Sequence, residues 1–283
     1  MARNVAVVTT THAKGWDDYG ARMVESFDRH WPADIRLHLY HENFTPPVGI
    51  ARLTSRDLLA SCPELVAFKA RHAANPLANG RSRRPMPRLF NTHLDGGPPR
   101  WRLRLFRRGY RWQAVRFAHK MFAIFHAAET TDADLLIWID ADTLFFADVP
   151  RAEIEGFCPP DRFVGCLRRR IHTETGFVAY NLRHPATRRF LEAFRRMYTD
   201  DLLFREAEFH DAYLFDMVRL RVEAEGHATH DIADGVGLRA SHVLINSRLG
   251  AFMDHMKGGR KAYGLSRRKD LVVARTESYW TQR

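Results

Sequence analysis

The sequence predicts an α/β fold, a Rossmann-like mixed β-sheet flanked by helices. Two observations carry this. The chain opens with a β-α-β pattern, and Asp134 to Ile139 is a strongly apolar run that reads as a buried strand. A third supports it: helical and extended patterns recur along the remaining chain. With 283 residues, 45% hydrophobic and 27% charged, the composition is that of a globular domain and excludes a mostly disordered chain. We read residues 1–283 as a single domain, with an arginine-rich loop or insertion at 75–111.

The elements follow in order. Asn4 to Thr10 is a short β-branched run that predicts a buried strand. Asp17 to His30 places Tyr19, Met23, Val24 and Phe27 on one helical face and stops near Pro32. Ile35 to Tyr40 alternates apolar and polar residues, as a half-exposed strand does. Ser55 to Ala74 is read as a helix. Proline, glycine, asparagine and arginine then dominate from Asn75 to Arg111, which predicts a long loop. Trp112 to Ala128 returns to helix. Phe163 to Leu167 and Phe177 to Tyr180 read as short strands. Pro185 to Tyr198 and Phe209 to Val222 read as helices, with Pro185 suited to an early helical position. His242 to Ile245 and Leu271 to Ala274 read as late strands.

Charge is unevenly placed. The chain has 44 Lys+Arg against 33 Asp+Glu, a net +11. Residues 81–120 hold eleven arginines and Lys120 against Asp95 alone, so this segment carries the entire excess. A concentrated basic segment points to an anionic acceptor or a membrane surface. Trp101, Phe106, Tyr110 and Trp112 interleave with the arginines, a composition that also suits single-stranded nucleic acid. No zinc finger, RNA-recognition or helix-turn-helix signature accompanies it, which argues against nucleic acid. Only Cys62, Cys158 and Cys166 occur, without metal-ligand spacing. That excludes a disulfide scaffold and suits a reducing compartment. No apolar run approaches bilayer length and no secretory signal is evident. The expected location is therefore cytoplasmic, with docking at an inner membrane face as an option.

The chemistry concentrates in two segments. Leu135-Leu136-Ile137-Trp138-Ile139 runs directly into Asp140-Ala141-Asp142. If the extended geometry continued, both carboxylates would point the same way. Paired carboxylates at a strand end repel, and a hard divalent cation such as Mn²⁺ or Mg²⁺ removes that penalty. The position outside a strand's carboxyl end is where open α/β sheets bind ligands. The competing reading is an ordinary turn, since aspartate is common there. The second segment is Asp254 to Lys261, with His255, Lys257, Gly258, Gly259 and Lys261. Glycines allow close backbone approach to an anion, and lysines neutralise phosphate. On its own this segment equally describes an exposed basic turn.

Together these segments resemble the GT-A glycosyltransferases. Asp140-Ala141-Asp142 matches their Asp-x-Asp motif, and His255-x-x-Gly258-x-x-Lys261 matches the His-x-x-Gly-x-x-Lys motif of glycosyltransferase family eight. Ala262-Tyr263 stands where that family often has Pro-Trp. Glu174-Thr175-Gly176-Phe177 and His210-Asp211 resemble a related bacterial GT-A group. The likeness spans the opening β-α-β unit and roughly residues 112–275. It implies a GT-A fold and transfer of a sugar from a nucleotide-sugar donor, UDP-linked by family habit, to a glycan or lipid-linked precursor.

By this resemblance Asp140, Asp142 and His255 hold Mn²⁺ or Mg²⁺, with Asp140 also near the ribose. Lys261 and Lys257 hold the diphosphate, and Gly258 and Gly259 give backbone access. Thr9, Thr10, Thr11 and Tyr19 would line the nucleoside pocket, although each also suits a turn or cap. Arg116 and Lys120 share a helix face that meets the donor or is simply solvated. Asp211 and Glu174 are the candidate catalytic carboxylates. In an inverting enzyme one would act as base on the acceptor hydroxyl, and in a retaining enzyme they would bind donor hydroxyls. The His-x-x-Gly-x-x-Lys match leans towards retention. His12, His119, His172 and His230 receive no role. Two other functions compete: a nucleic-acid-binding protein using the arginine-rich segment, and a sugar nucleotidyltransferase, which needs the Asp pair but not His255 to Lys261.

Overall fold

The computed structural model describes residues 2–47, 49–80, 86–90, 100–104 and 109–282. Its centre is a seven-stranded mixed sheet. In chain order the strands are β1 (Val5–His12), β2 (Arg36–Glu42), β3 (Leu53–Asp57), β4 (Met86–Phe90), β5 (Arg100–Arg104), β6 (Leu135–Ile139), β7 (Thr143–Phe145), β8 (Val164–Leu167), β9 (Glu174–Asn181), β10 (His230–Asp231) and β11 (Met253–His255). The main sheet runs β10-β8-β9-β6-β1-β2-β3. β1 is parallel to both β2 and β6, whereas β9 is antiparallel to β6 and β8. β7 and β11 form a separate antiparallel ribbon, as do β4 and β5.

Strand β6 shows why the sheet sits centrally. All five of its residues are buried, and alternate ones enter different cores. Leu136 and Trp138 join one core with the helices Ala114–Thr130, Pro185–Thr199 and Asp211–Ala224. Leu135, Ile137 and Ile139 join the other, with the helix Ala21–His30. A strand buried on both faces reads as an unbroken apolar run. Each such side chain contributes roughly 1.5–3 kcal/mol on burial.

The opening β-α-β unit is present. Its helix begins earlier than the periodicity predicts: Ala13–Gly15 and a π-helical stretch Trp16–Gly20 precede Ala21–His30. Four elements differ from expectation. Leu53–Asp57 is an edge strand, and the helix Pro63–His72 follows after a short turn of helix. Edge strands lack an alternating apolar signature because much of their surface faces water. The long loop contains the hairpin β4–β5. His242 to Ile245 is not a strand: Val243–Asn246 forms one helical turn. Leu271 to Ala274 forms no strand either. The backbone N–H groups of Val272 and Val273 donate to Asn246 Oδ1 at 2.6 and 3.2 Å, in place of a strand partner. No helix among the described residues is long and apolar enough to cross a membrane.

Candidate active site

A cleft of about 1000 Å³ opens at the carboxyl ends of β1, β2 and β6. The apolar β6 delivers Asp140 to its floor. Extended geometry does not continue there. The Thr143 N–H donates to the Asp140 carbonyl at 3.1 Å, closing a turn that separates β6 from β7. The aspartates therefore sit on a turn, as the competing reading expects.

The ribbon β7–β11 brings the two sequence segments into contact. Thr143 pairs with His255, and the Met256 N–H donates to the Asp142 carbonyl at 2.8 Å. His255 Nε2 lies 3.2 Å from Asp142 Oδ1 and 3.6 Å from Asp140 Oδ2. Lys261 Nζ lies 2.9 Å from Asp142 Oδ2 and sits over the Tyr19 ring at 4.5 Å. Burial resists ionisation of Asp142, but His255 and Lys261 outweigh it and hold the carboxyl below its usual range. Burial likewise works against the charged form of His255, and Asp142 and Asp140 reverse the balance upwards.

Gly176, on β9, makes room for this cluster. A Cβ there would fall 2.6 Å from His255 Cε1 and 3.2 Å from Asp140 Oδ2. The glycine thus leaves room for the His255 ring and the Asp140 carboxylate.

Lys120 is the second organiser of the cleft. It lies among apolar residues of the helix Ala114–Thr130 and is 9% exposed. Its Nζ reaches Asp140 Oδ1 at 3.1 Å, Asp211 Oδ2 at 2.7 Å and the Thr175 carbonyl at 2.6 Å. The ammonium also sits over Trp138 at 4.9 Å. Trp138 Nε1–H donates to the same Asp140 oxygen at 2.7 Å. Of the two readings of this helix face, the solvated one does not describe Lys120, which is buried. Arg116 lines the cleft and donates to Gln113 Oε1 at 3.3 Å.

Asp211 and Glu174 both line the cleft, and both are engaged. Asp211 accepts from Thr175 Oγ1 at 2.7 Å besides its pair with Lys120. Glu174 pairs with Lys257 and, at 3.3 Å, with Arg169. Burial raises both pKa values, and the neighbouring cations more than cancel it, so both carboxyls are held below normal. Glu42, at the end of β2, pairs with Lys69 at 2.8 Å and His119 at 3.3 Å. Among the described residues, the five carboxylates lining the cleft, Glu42, Asp140, Asp142, Glu174 and Asp211, are thus paired with cations.

The remaining predicted residues divide. Thr10, Thr11, Tyr19, Lys257 and Gly258 line the cleft. Gly258 has φ of +63°, a left-handed conformation that favours glycine. Thr9 is buried outside the lining, and Gly259 is also outside it. Asp216 accepts from the Thr173 N–H at 2.9 Å and pairs with Arg219, a structural role. Sequence reading gives no role to Trp138, Glu42, Arg169, His172 or Glu208, and names His210 only within the His210-Asp211 segment. Only Trp138 carried a local signal, two residues before Asp140 on the same strand. Most of the arginine-rich segment, with Trp101 and Phe106, lies outside the described side chains. Of that segment Arg111 is described, and it reaches Glu208 Oε1 at 3.4 Å.

No protein-family model matches this chain, and no curated protein sequence matches it. Solved structures with some likeness include the apo form of the bifunctional glycosyltransferase WbbM, at 11% identity and TM-score 0.47, covering 82% of this chain and 39% of that one. Another is the apo form of mouse xyloside xylosyltransferase 1, at 12% identity and TM-score 0.45, covering 81% and 84%. A third is the galactosyltransferase LgtC in complex with donor and acceptor sugar analogues, at 10% identity and TM-score 0.41, covering 74% and 69%.

Proposed function

We propose that this chain is a metal-dependent glycosyltransferase of the GT-A type that uses a nucleotide-sugar donor. One observation carries the reading: Asp140, Asp142 and His255 converge beside Lys261 at the end of a central strand, inside a large cleft. The ligand set fits a divalent cation. Its carboxylate and imidazole atoms lie within 4.8 Å of one another, His255 Nδ1 is buried without a hydrogen-bond partner, and Gly176 keeps a side chain out of the cradle. Two carboxylates and one imidazole suit Mn²⁺ or Mg²⁺.

When bound, the ion supplies Lewis-acid stabilisation of charge developing on the leaving diphosphate. The chain's own residues do the rest. Lys261 presents a cation beside Asp142, where it offsets the same charge. Trp138 Nε1–H and Lys120 fix one oxygen of Asp140 and leave Oδ2 towards His255. Thr10 and Thr11, at the end of β1, line the nucleoside part of the cleft, with Tyr19 stacked under Lys261.

The pairing of every lining carboxylate supports retention of configuration. An inverting enzyme needs a carboxylate able to take the acceptor proton, and a salt-bridged carboxylate with a depressed pKa is a poor base. Asp211 and Glu174 then serve to shape the sugar site. The donor is UDP-linked and the acceptor a glycan or lipid-linked precursor, following the motif resemblance. The test is a screen of nucleotide sugars with Mn²⁺, reading released nucleoside diphosphate. Release from one donor, lost in Asp142→Ala and His255→Ala, is expected. If both variants bind UDP with Mn²⁺ as tightly as the parent, the site assignment fails.

A further inference from the structure

A second cluster of ligand-type side chains borders the same cleft. His172 lies between β8 and β9, and Glu208 and His210 precede the helix Asp211–Ala224. None of these three belongs to the donor-site reading above. Their exposures are 7%, 0% and 3%. Their ligand atoms lie within 4.8 Å of one another. His210 Nε2 is 2.9 Å from Glu208 Oε2, and His172 Nε2 is 3.6 Å from the same oxygen. Neither ring nitrogen of His172 has a hydrogen-bond partner. A buried polar ring without partners is costly and calls for an explanation.

We propose that His172, Glu208 and His210 form a second metal site, selective for a borderline divalent ion of the Zn²⁺ class. Two imidazoles and one carboxylate make a softer set than the two carboxylates of the first site, which favours zinc over magnesium or manganese. The spacing agrees. Zinc–ligand bonds near 2.0–2.1 Å in a tetrahedron separate neighbouring ligand atoms by about 3.3 Å. The observed 2.9 and 3.6 Å bracket that value.

The surroundings are compatible with loading. Arg111 addresses Glu208 Oε1 at 3.4 Å, whereas both histidines face Oε2. His210 Nδ1 caps the helix by accepting from the Tyr213 N–H at 3.4 Å, a long and weak contact. Ion binding at Nε2 moves the ring proton to Nδ1, which gives up that contact and replaces the 2.9 Å hydrogen bond to Glu208 Oε2 with coordination by both groups. His172 and His210 both line the cleft, so the fourth coordination position opens into it. Three protein ligands with one open position is the arrangement of zinc sites that engage a small ligand.

The test uses the full chain and Zn²⁺ itself, counted by equilibrium dialysis with elemental analysis. Asp142→Asn weakens the first site, and the resulting protein is expected to keep one tightly bound Zn²⁺. Adding His172→Ala weakens that binding roughly 100-fold, and adding His172→Cys, which supplies another zinc ligand, preserves most of it. Circular dichroism confirms folding of each variant. If His172→Ala does not fold, Co²⁺ added to the folded Asp142→Asn protein decides, through the intense visible bands of a four-coordinate nitrogen–oxygen site. The proposal is overturned if Asp142→Asn holds no Zn²⁺, if His172→Ala leaves the affinity unchanged, or if the Co²⁺ bands are absent. None of these readouts depends on nucleotide-sugar turnover.

Discussion

Asp140 and Asp142 lie on the turn between β6 and β7 and His255 ends β11, the partner of β7, whereas His172, Glu208 and His210 come from segments outside the strands. In the first cluster the acids outnumber the imidazole, and Lys120 and Lys261 compensate. In the second a single fully buried carboxylate faces two imidazoles and Arg111. The contrast teaches how a cleft can hold two kinds of ligand. Paired carboxylates suit a hard cation, the adjoining Lys261 suits a phosphate, and an imidazole-rich set suits a softer ion. Lys120 joins the two regions, since it contacts both Asp140 and Asp211, the neighbour of His210 in sequence.

The largest expected effect comes from removing that link. Lys120→Met leaves two carboxylates in the cleft without their shared cation. Breaking a buried pair this way costs about 3–5 kcal/mol, read as a shift in the urea midpoint. Lys120→Met combined with Asp211→Asn should recover part of the loss. A loss below about 1 kcal/mol would mean water screens the contact as at a surface, and the two clusters would then be independent.

Next is Asp142→Asn. It removes the carboxylate shared by His255 and Lys261 while keeping its size. Donor turnover should fall by roughly 10²–10³-fold, the scale seen when one charge-stabilising group is lost. Released nucleoside diphosphate is the readout. An unchanged rate would break the comparison, since the first cluster would then have no claim to the donor.

Legibility in the sequence follows the same division. β1, β2 and β6 were readable because period and composition act locally. The Asp pair and the stretch from His255 to Lys261 were readable because each holds its chemistry within a few residues. For Lys120 both a donor-facing and a solvated face stay open in the sequence, because a helix face predicts who shares it and only packing decides whether it meets water. The helix predicted from Ser55 overlaps the end of β3 because Leu53 to Asp57 has no alternating apolar pattern. Val243 to Ile245 was read as strand because a short apolar run does not separate strand from one helical turn. The proximity of His172 to Glu208 and His210 is invisible in the sequence because no fixed spacing links residue 172 to 208. The packing of the 172 loop against the start of the helix Asp211–Ala224 creates that proximity.

A smaller effect tests how tightly the first cluster is built. Gly176→Ala places a methyl group 2.6 Å from His255 Cε1. The ring must shift away from Asp142 or the backbone must move. Overpacking of this kind costs about 1–3 kcal/mol. Affinity for Mn²⁺ should fall, while Zn²⁺ held by His172, Glu208 and His210 should not change. Equal losses at both clusters would mean the cleft deforms as one unit.

The smallest effect concerns Glu42, a carboxylate in the same cleft that belongs to neither cluster. His119 and Lys69 donate to it and outweigh its burial, lowering its pKa from 4.5 to about 2. A depressed carboxylate pKa adds stability that is present above the unfolded value and is lost as pH falls through the folded one. The window therefore runs from about pH 4.5 down to about pH 2. Glu42→Gln should flatten the decline in stability across that window, measured as urea midpoints at successive pH values, and leave binding of both metals at neutral pH unaltered. A slope equal to that of the parent would show that the Lys69–Glu42–His119 contacts are not formed in solution. In that case charge pairing would not be a general rule for the carboxylates of this cleft, and the pairing of Asp211 and Glu174 would no longer support retention.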